Sequence, residues 1–169
     1  VQFRDLQLDD AAGLLEFELA NRAWFEKTVE ARKEDFYSLE GITAHILECL
    51  DGYAGGTMHP CVMVDPEGRI AGRFNLRFID QVKGSGEIGY RIAELHCSEG
   101  WASAAVRYMQ QLAYGRWKLT RLDAYASVEN PASARVLEKN GFVRQELVSE
   151  RSSVQQRKLD AYRYRHTAV

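Results

Sequence analysis

Several things are missing from this 169-residue chain. No window approaches ~18 consecutive apolar residues, and no charged n-region followed by an apolar h-region opens it, so neither a membrane span nor a secretory leader is expected. There are three cysteines, Cys49, Cys61 and Cys97. Their number is odd and their spacing is not that of metal ligands, which speaks against a disulfide framework or a cysteine-built metal centre. A reducing compartment follows, with the cytoplasm as the default, no metal and no membrane partner. Basic excess is also missing: 22 Lys and Arg against 24 Asp and Glu give a formal charge of −2. With a pI near 6.1, that argues against direct nucleic-acid binding while leaving room for a local basic patch. Repeats, low-complexity tracts and interdomain linkers are lacking too, so residues 1–169 read as a single domain.

What is present is the composition of an ordinary globular protein, 46% hydrophobic and 27% charged. "FRDL" (3–6) suggests a first strand. Asp9 or Asp10 is placed to cap a helix carrying Ala11, Leu15 and Leu19, and residues 21–38 begin as helix. Ser38 is placed to cap another helix, with Ile42, Ile46 and Leu50 on its apolar face, ending in a glycine-rich break at 51–60. Strand signals then take over. "CVMV" (61–64), a turn at "DPEG" and a strand at 69–79 make a hairpin. In 87–93, Ile88, Tyr90 and Ile92 alternate with Glu87, Gly89 and Arg91. Residues 101–117 return to helical period, 121–127 alternate as a strand, and a short helix covers 131–140. A strand at 142–148, a polar loop at 149–159 and a strand at 160–166 close the chain. The order predicts an α/β protein with a mixed, mostly antiparallel sheet.

Two stretches carry chemistry. "HCSEGWAS" (96–103) lies between a strand and a helix, where free N–H groups and the helix dipole suit a phosphate-bearing ligand. A single glycine there, Gly100, is also what an ordinary strand–helix connection carries. "ENPASARVLEKNGF" (129–142) is a well-specified short helix, with Asn130 at the N-cap, Pro131 at N1 and Gly141 past its end. Those roles need no function. Ser133 at N3 is left without one, because a capping box prefers Glu or Gln there.

Together the two stretches resemble the GNAT superfamily of acetyl-CoA-dependent N-acetyltransferases. "EIGYRIAELHCSEGWASAAV" (87–106) is similar to the family's strand, phosphate loop and helix block. "NPASARVLEKNGF" (130–142) follows its second block nearly letter for letter. "FELANRAWFEKTVEARKEDFY" (17–37) looks like the subgroup that acetylates ribosomal-protein and other protein N-termini. The resemblance implies a GNAT-like sheet of about seven strands with a splay between the fourth and fifth. It implies that the end of the fourth strand, Ile92, Ala93 and Leu95, meets the pantetheine arm of acetyl-CoA, the cosubstrate. The loop Cys97, Ser98, Glu99, Gly100, Trp101, Ala102 and Ser103 would hold the pyrophosphate, with Asn130 and Ser133 on the other wall. The sequence departs from the family at Cys97, Ser98 and Glu99. The cradle works through main-chain N–H groups, so these changes weaken it only if Ser98 must take a positive φ.

Acetyl transfer needs an amine freed of its proton and an acid for the departing thiolate. Glu87 is placed for the base; its structural alternative is an ion pair with Arg91. The family's tyrosine after the Asn is missing, which leaves Ser133 to donate to the thiolate or to act as a cofactor contact alone. Cys97 as a covalent nucleophile lacks an identifiable Asn or Asp partner. Trp24, Phe25, Phe36 and Tyr37, with Arg22 and Glu26, either frame the acceptor slot or belong to core and solvated surface. The leading function is acetylation of a protein or peptide N-terminal amine. A small-molecule amine acetyltransferase and a non-catalytic acyl-CoA-binding module are the alternatives.

Overall fold

The computed structural model describes residues 1–169. Seven strands, β1 (Gln2–Asp5), β2 (His59–Val64), β3 (Ile70–Asp80), β4 (Ser85–Ile92), β5 (Arg121–Ser127), β6 (Val143–Val154) and β7 (Arg157–Thr167), form one sheet in the order β1-β2-β3-β4-β5-β7-β6. Only β4 and β5 run parallel; the other pairs are antiparallel. Five helices flank the sheet: α1 (Ala11–Ala20), α2 (Arg22–Phe25), α3 (Leu39–Ala54), α4 (Trp101–Gln111) and α5 (Pro131–Lys139).

Strand parity divides the core in two. On one face Phe74, Leu76, Ile88 and Ile92 bury against Ala105, Val106 and Met109 of α4, with Leu137 of α5 joining them. On the other, Val62 and Val64 pack with Leu14 and Phe17 of α1 and Ile42 and Ile46 of α3. Each fully buried side chain of this size stabilises the fold by roughly 1.5–3 kcal/mol relative to exposure.

Ser38 caps α3 as expected, its hydroxyl accepting from the Gly41 N–H at 3.0 Å. Asp10 does not cap α1. Its carboxylate instead accepts from the Gln7 N–H and both guanidinium arms of Arg4, locking the strand-to-helix turn. The glycine-rich break is shorter than expected, because α3 runs to Ala54 and β2 already begins at His59. The polar loop expected at 149–159 is strand. β6 and β7 form a long hairpin closed by Gln155 and Gln156, both at positive φ (49° and 62°). No Asn-Gly or Asp-Gly pair announces that turn. Being almost wholly exposed, β6 also lacks an apolar alternation, as suits a charged edge strand.

His59 is fully buried near Asp5 and Cys61, a grouping of metal-ligand types. Its Nδ1 accepts from the Trp117 indole N–H at 2.9 Å, and its Nε2 therefore donates to Asp5 at 2.8 Å. Both ring nitrogens are thereby used in fastening β1 and β2 to the turn after α4. No helix is long and apolar enough to cross a membrane.

Candidate active site

β4 pairs with β5 only at Ser85↔Arg121, Gly86↔Leu122 and Glu87↔Asp123. Beyond Glu87 the two strands diverge: β4 stays with β3 as far as Ile92, and β5 stays with β7 as far as Ser127. The main-chain groups of β4 that point toward β5 in this stretch have no strand partner. Buried or half-buried peptide groups left this way need an acceptor or donor from elsewhere. An extended chain bearing amides would supply both.

After Ile92 the chain makes one 3-10 turn (Glu94–His96) and enters the loop before α4. None of the backbone N–H groups from Ser98 through Ser103 donates to a protein acceptor. Six successive free donors at the start of an 11-residue helix form an anion cradle. Ser98 and Gly100 both adopt positive φ, 72° and 82°. The strain anticipated at Ser98 is therefore real, worth about 1 kcal/mol or more. A Cβ on Gly100 would meet nothing within 4 Å, so packing does not call for this glycine; its backbone conformation does.

The side chains of the loop are mostly tied away from that cradle. Glu99 contacts His96 Nδ1 at 2.9 Å, and His96 lies flat on Trp101 with centroids 3.9 Å apart. The Ser103 hydroxyl accepts from Arg107 and Asn140, leaving its N–H as the free group. Ile92 and Ala93 are buried, and the Ala93 N–H donates to Ala71. Leu95 is 77% exposed, an apolar side chain with nothing over it. The Cys97 thiol donates to the Ala93 carbonyl, and burial, reinforced by Glu94, pushes it up from its ordinary value. That is the wrong direction for a thiolate nucleophile.

Asn130 begins α5 as expected, its side-chain oxygen accepting from the Ser133 N–H at 3.2 Å. The Ser133 hydroxyl sits 3.1 Å from the Tyr90 hydroxyl, so a polar contact bridges the splay from β4 to α5. Burial raises the Tyr90 phenol, which keeps it protonated near neutral pH. Sequence reasoning missed this pair. Tyr90 shares its parity with Ile88 and Ile92 and so read as core; a hydroxyl on that face was the available signal.

The opposite face of β4 carries Glu87, Gly89 and Arg91, the side chains predicted to share it. Glu87 does not pair with Arg91. Cross-strand register sets Arg77 directly opposite, and the Arg77 guanidinium reaches Glu87 Oε1 at 2.5 Å, with Arg151 of β6 at 3.8 Å. Residues i and i+4 of a strand lie ~13 Å apart, too far for the expected pair. Arg91 lies 3.6 Å from Glu18 of α1, which Arg73 also holds at 2.9 Å. The aromatic segment is partly core and partly covered by arginines. Phe25 is core with Arg91 over its ring; Phe36 lies under Arg32; Tyr37 lies under Arg22, which Glu26 and Glu34 hold.

A parallel strand pair that opens, beside a loop of free amides leading into a helix, is an arrangement suited to an extended, phosphate-bearing ligand. Residues 1–143 match the Acetyltransferase (GNAT) domain. The chain is 30% identical over 144 residues to the "Probable N-acetyltransferase YjcK" of Bacillus subtilis, covering 84% of this chain and 80% of that one. Its fold is similar to the crystal structure of ribosomal-protein-S5-alanine acetyltransferase from Vibrio fischeri. That likeness has a TM-score of 0.94 at 21% identity, over 98% of this chain and 92% of the other. It is also similar to spermidine N-acetyltransferase from Vibrio cholerae in complex with CoA and spermine. There the TM-score is 0.82 at 19% identity, over 98% and 94% of the two chains. This chain belongs to the GNAT acetyltransferase family. It is an N-acetyltransferase, and acetyl-CoA is the donor that family uses.

Proposed function

We propose that the chain acetylates the α-amine of a protein or peptide N-terminus by direct transfer from acetyl-CoA. The observation that carries the donor half is the run of six free N–H groups, Ser98 to Ser103, beside the open edge of β4. The acceptor half rests on the likeness to a ribosomal-protein acetyltransferase across 98% of the chain. The 17–37 segment supports it by bringing Glu18 of α1 and Phe25 of α2 against Arg91. Acetylation of a small polyamine is a second reading, favoured by the likeness to the spermidine enzyme.

The residues suggest a division of labour. The pyrophosphate of acetyl-CoA takes the loop amides, and its pantetheine arm pairs with the free edge of β4 toward Ile92, past Leu95 and with Asn130 and Ser133 on the other wall. The thioester then sits where β4 and β5 part. Glu87 keeps Oε2 free of protein hydrogen bonds while Oε1 faces the two guanidinium groups. Oε2 accepts the proton of the ammonium group, directly or through one water, and the amine nitrogen attacks the thioester carbon. The C–N bond forms and the C–S bond breaks. As the C–N bond forms the nitrogen sheds its second proton, and Ser133, hydrogen-bonded to Tyr90, relays it to the departing thiolate, so that the thiol leaves and the serine hydroxyl is restored.

The test is CoA thiol release with uncapped peptides, lysine-containing capped peptides, spermidine and aminoglycosides as acceptors. Turnover with uncapped peptides above the others is the expected result. Turnover confined to spermidine or aminoglycosides overturns the acceptor assignment. Gly100→Val serves as the donor-side control. It should raise the KM for acetyl-CoA by at least ~10-fold and shrink the thermal shift that ligand binding produces. A folded variant with unchanged KM would show the cradle to be misplaced.

A further inference from the structure

The acceptor face holds more positive charge than its own carboxylates neutralise. Glu18, with 0% exposure, is the one carboxylate among Arg73, Arg91 and Arg32. Arg73 donates to Glu18 Oε1 and, at 2.6 Å, to His45 Nε2. That nitrogen therefore carries no proton, and burial followed by the repulsion of Arg73 pulls His45 down to about 3. It adds no charge at neutral pH. Arg91 is largely buried and reaches Glu18 only at 3.6 Å.

Arg32 is the unexplained member. Its guanidinium stacks on Phe36 at 4.4 Å, its Nε is buried without a hydrogen-bond partner, and no carboxylate lies within ion-pair distance. Burial first, then Arg73 and Arg91, lower it to about 10. A largely buried cation facing two others needs a counter-charge, and the fold provides only the one it already shares. Further along the face, Arg77 and Arg151 share Glu87. Five arginines thus meet two carboxylates in a chain whose formal charge is −2. Including Arg22 with Glu26 and Glu34 at one rim reduces the excess by one. Arg163 and Arg165 with Asp123 and Glu146 at the other rim leave it unchanged.

From this charge pattern we infer that the acceptor is an anionic amine: a peptide N-terminus with acidic side chains at its second or third residue, whose carboxylates complete the Arg32–Arg91–Arg73 cluster. The peptide form of this inference rests on the N-terminal reading above. Strand spacing gives the reach. Gly89 lies between Glu87 and Arg91, two residues, or ~7 Å, from each, and the Arg77 guanidinium covers the side where a Cβ would stand. An amine held by Glu87 Oε2 over this stretch directs the next residues of an extended peptide, and their acidic side chains, toward Arg91 and Arg32. A polyamine would lay its cationic chain along the same arginines, an arrangement that like-charge repulsion opposes.

The experiment compares kcat/KM for three uncapped peptides that differ only at positions two and three: Asp-Asp, Gln-Gln and Lys-Lys. Spermidine and glutamate are run beside them, at low and high salt. The acidic peptide should exceed the neutral one by at least ~10-fold and the basic one by more, with the margin shrinking as salt rises. In Arg32→Gln, shown to be folded by its acetyl-CoA thermal shift, the acidic-to-neutral ratio should collapse to within ~3-fold. Equal use of the three peptides by the wild type, or spermidine matching the acidic peptide, overturns the inference. An unchanged ratio in Arg32→Gln overturns it as well. Indiscriminate use of peptides would sink the charge argument and leave the N-terminal reading intact. Glutamate turnover without peptide turnover would do the reverse.

Discussion

On the α4 side of β4, Ile88, Tyr90 and Ile92 are neutral and packed, and the strand offers its free main-chain edge and the Tyr90 hydroxyl. On the α1–α3 side, Glu87, Gly89 and Arg91 lie among charges brought by α1, β3, β6 and the loop around Arg32. On the proposed reading the donor half is built from backbone N–H groups, whose direction depends on local conformation alone. The acceptor half is then built from side chains that only the tertiary fold assembles. In a GNAT enzyme this is a sensible split. The donor is fixed, and main-chain groups tolerate side chains such as those of Cys97 and Glu99, with Ser98 adding backbone strain. The acceptor varies, and side chains can be exchanged without rebuilding the sheet.

The strongest test of this contrast is at Glu87, the acceptor-side residue nearest the splay. Glu87→Gln should lower kcat by at least ~100-fold at neutral pH, in the range typical of general-base assistance, while acetyl-CoA binding stays unchanged. The deficit should narrow at high pH, where the amine is already free. A kcat within a few-fold of wild type across the range would mean that Glu87 serves only to pair Arg77, and that positioning drives the reaction.

A smaller effect is expected where the two halves touch. If Ser133 gives its proton to the thiolate and Tyr90 supports it, Ser133→Ala and Tyr90→Phe should each cost roughly 10-fold in kcat. The double variant should then fall short of the product of the two, since one relay is broken either way. Multiplicative losses, or losses in KM for acetyl-CoA alone, would assign both hydroxyl groups to binding.

The same contrast explains what could be read from the sequence. The cradle, Asn130 and the β5 strand are local, and their signals sit in consecutive residues. The Asn130 cap follows from the chain within a few positions, whereas the positive φ at Ser98 is only a condition that the resemblance raises. Arg73 beside Glu18 is a contact between residues 55 positions apart. Arg151 beside Glu87 depends on the β6–β7 hairpin, whose turn carries neither glycine nor asparagine. The ion pair with Arg91, the structural alternative for Glu87, does not form, because it put sequence neighbourhood in place of cross-strand register. Charges on sheet faces find partners through pairing, and pairing is what a single sequence shows least.

The smallest predicted effect concerns the stability of the arginine-rich half. His45 accepts a hydrogen bond from Arg73, and burial with the nearby Arg73, Arg32 and Arg91 holds it down to about 3 from an ordinary 6.5. Between those values the unfolded chain binds a proton that the folded chain refuses, so folding stability rises with pH through this window. The contribution is complete above about 6.5 and is lost progressively as pH falls toward 3. At pH 5.5 the loss relative to pH 7.5 should be about 1 kcal/mol, allowing for partial solvent screening. His166 is also lowered by burial and adds a loss of the same sign. The informative quantity is therefore the difference between wild type and His45→Gln, whose amide oxygen can still accept from Arg73. Urea midpoints at the two pH values should move further apart in the wild type than in the variant. Equal displacement in both proteins would mean that the imidazole accepts its proton without disturbing the arginines, and that this half of the site tolerates still more positive charge than its buried arginines already impose.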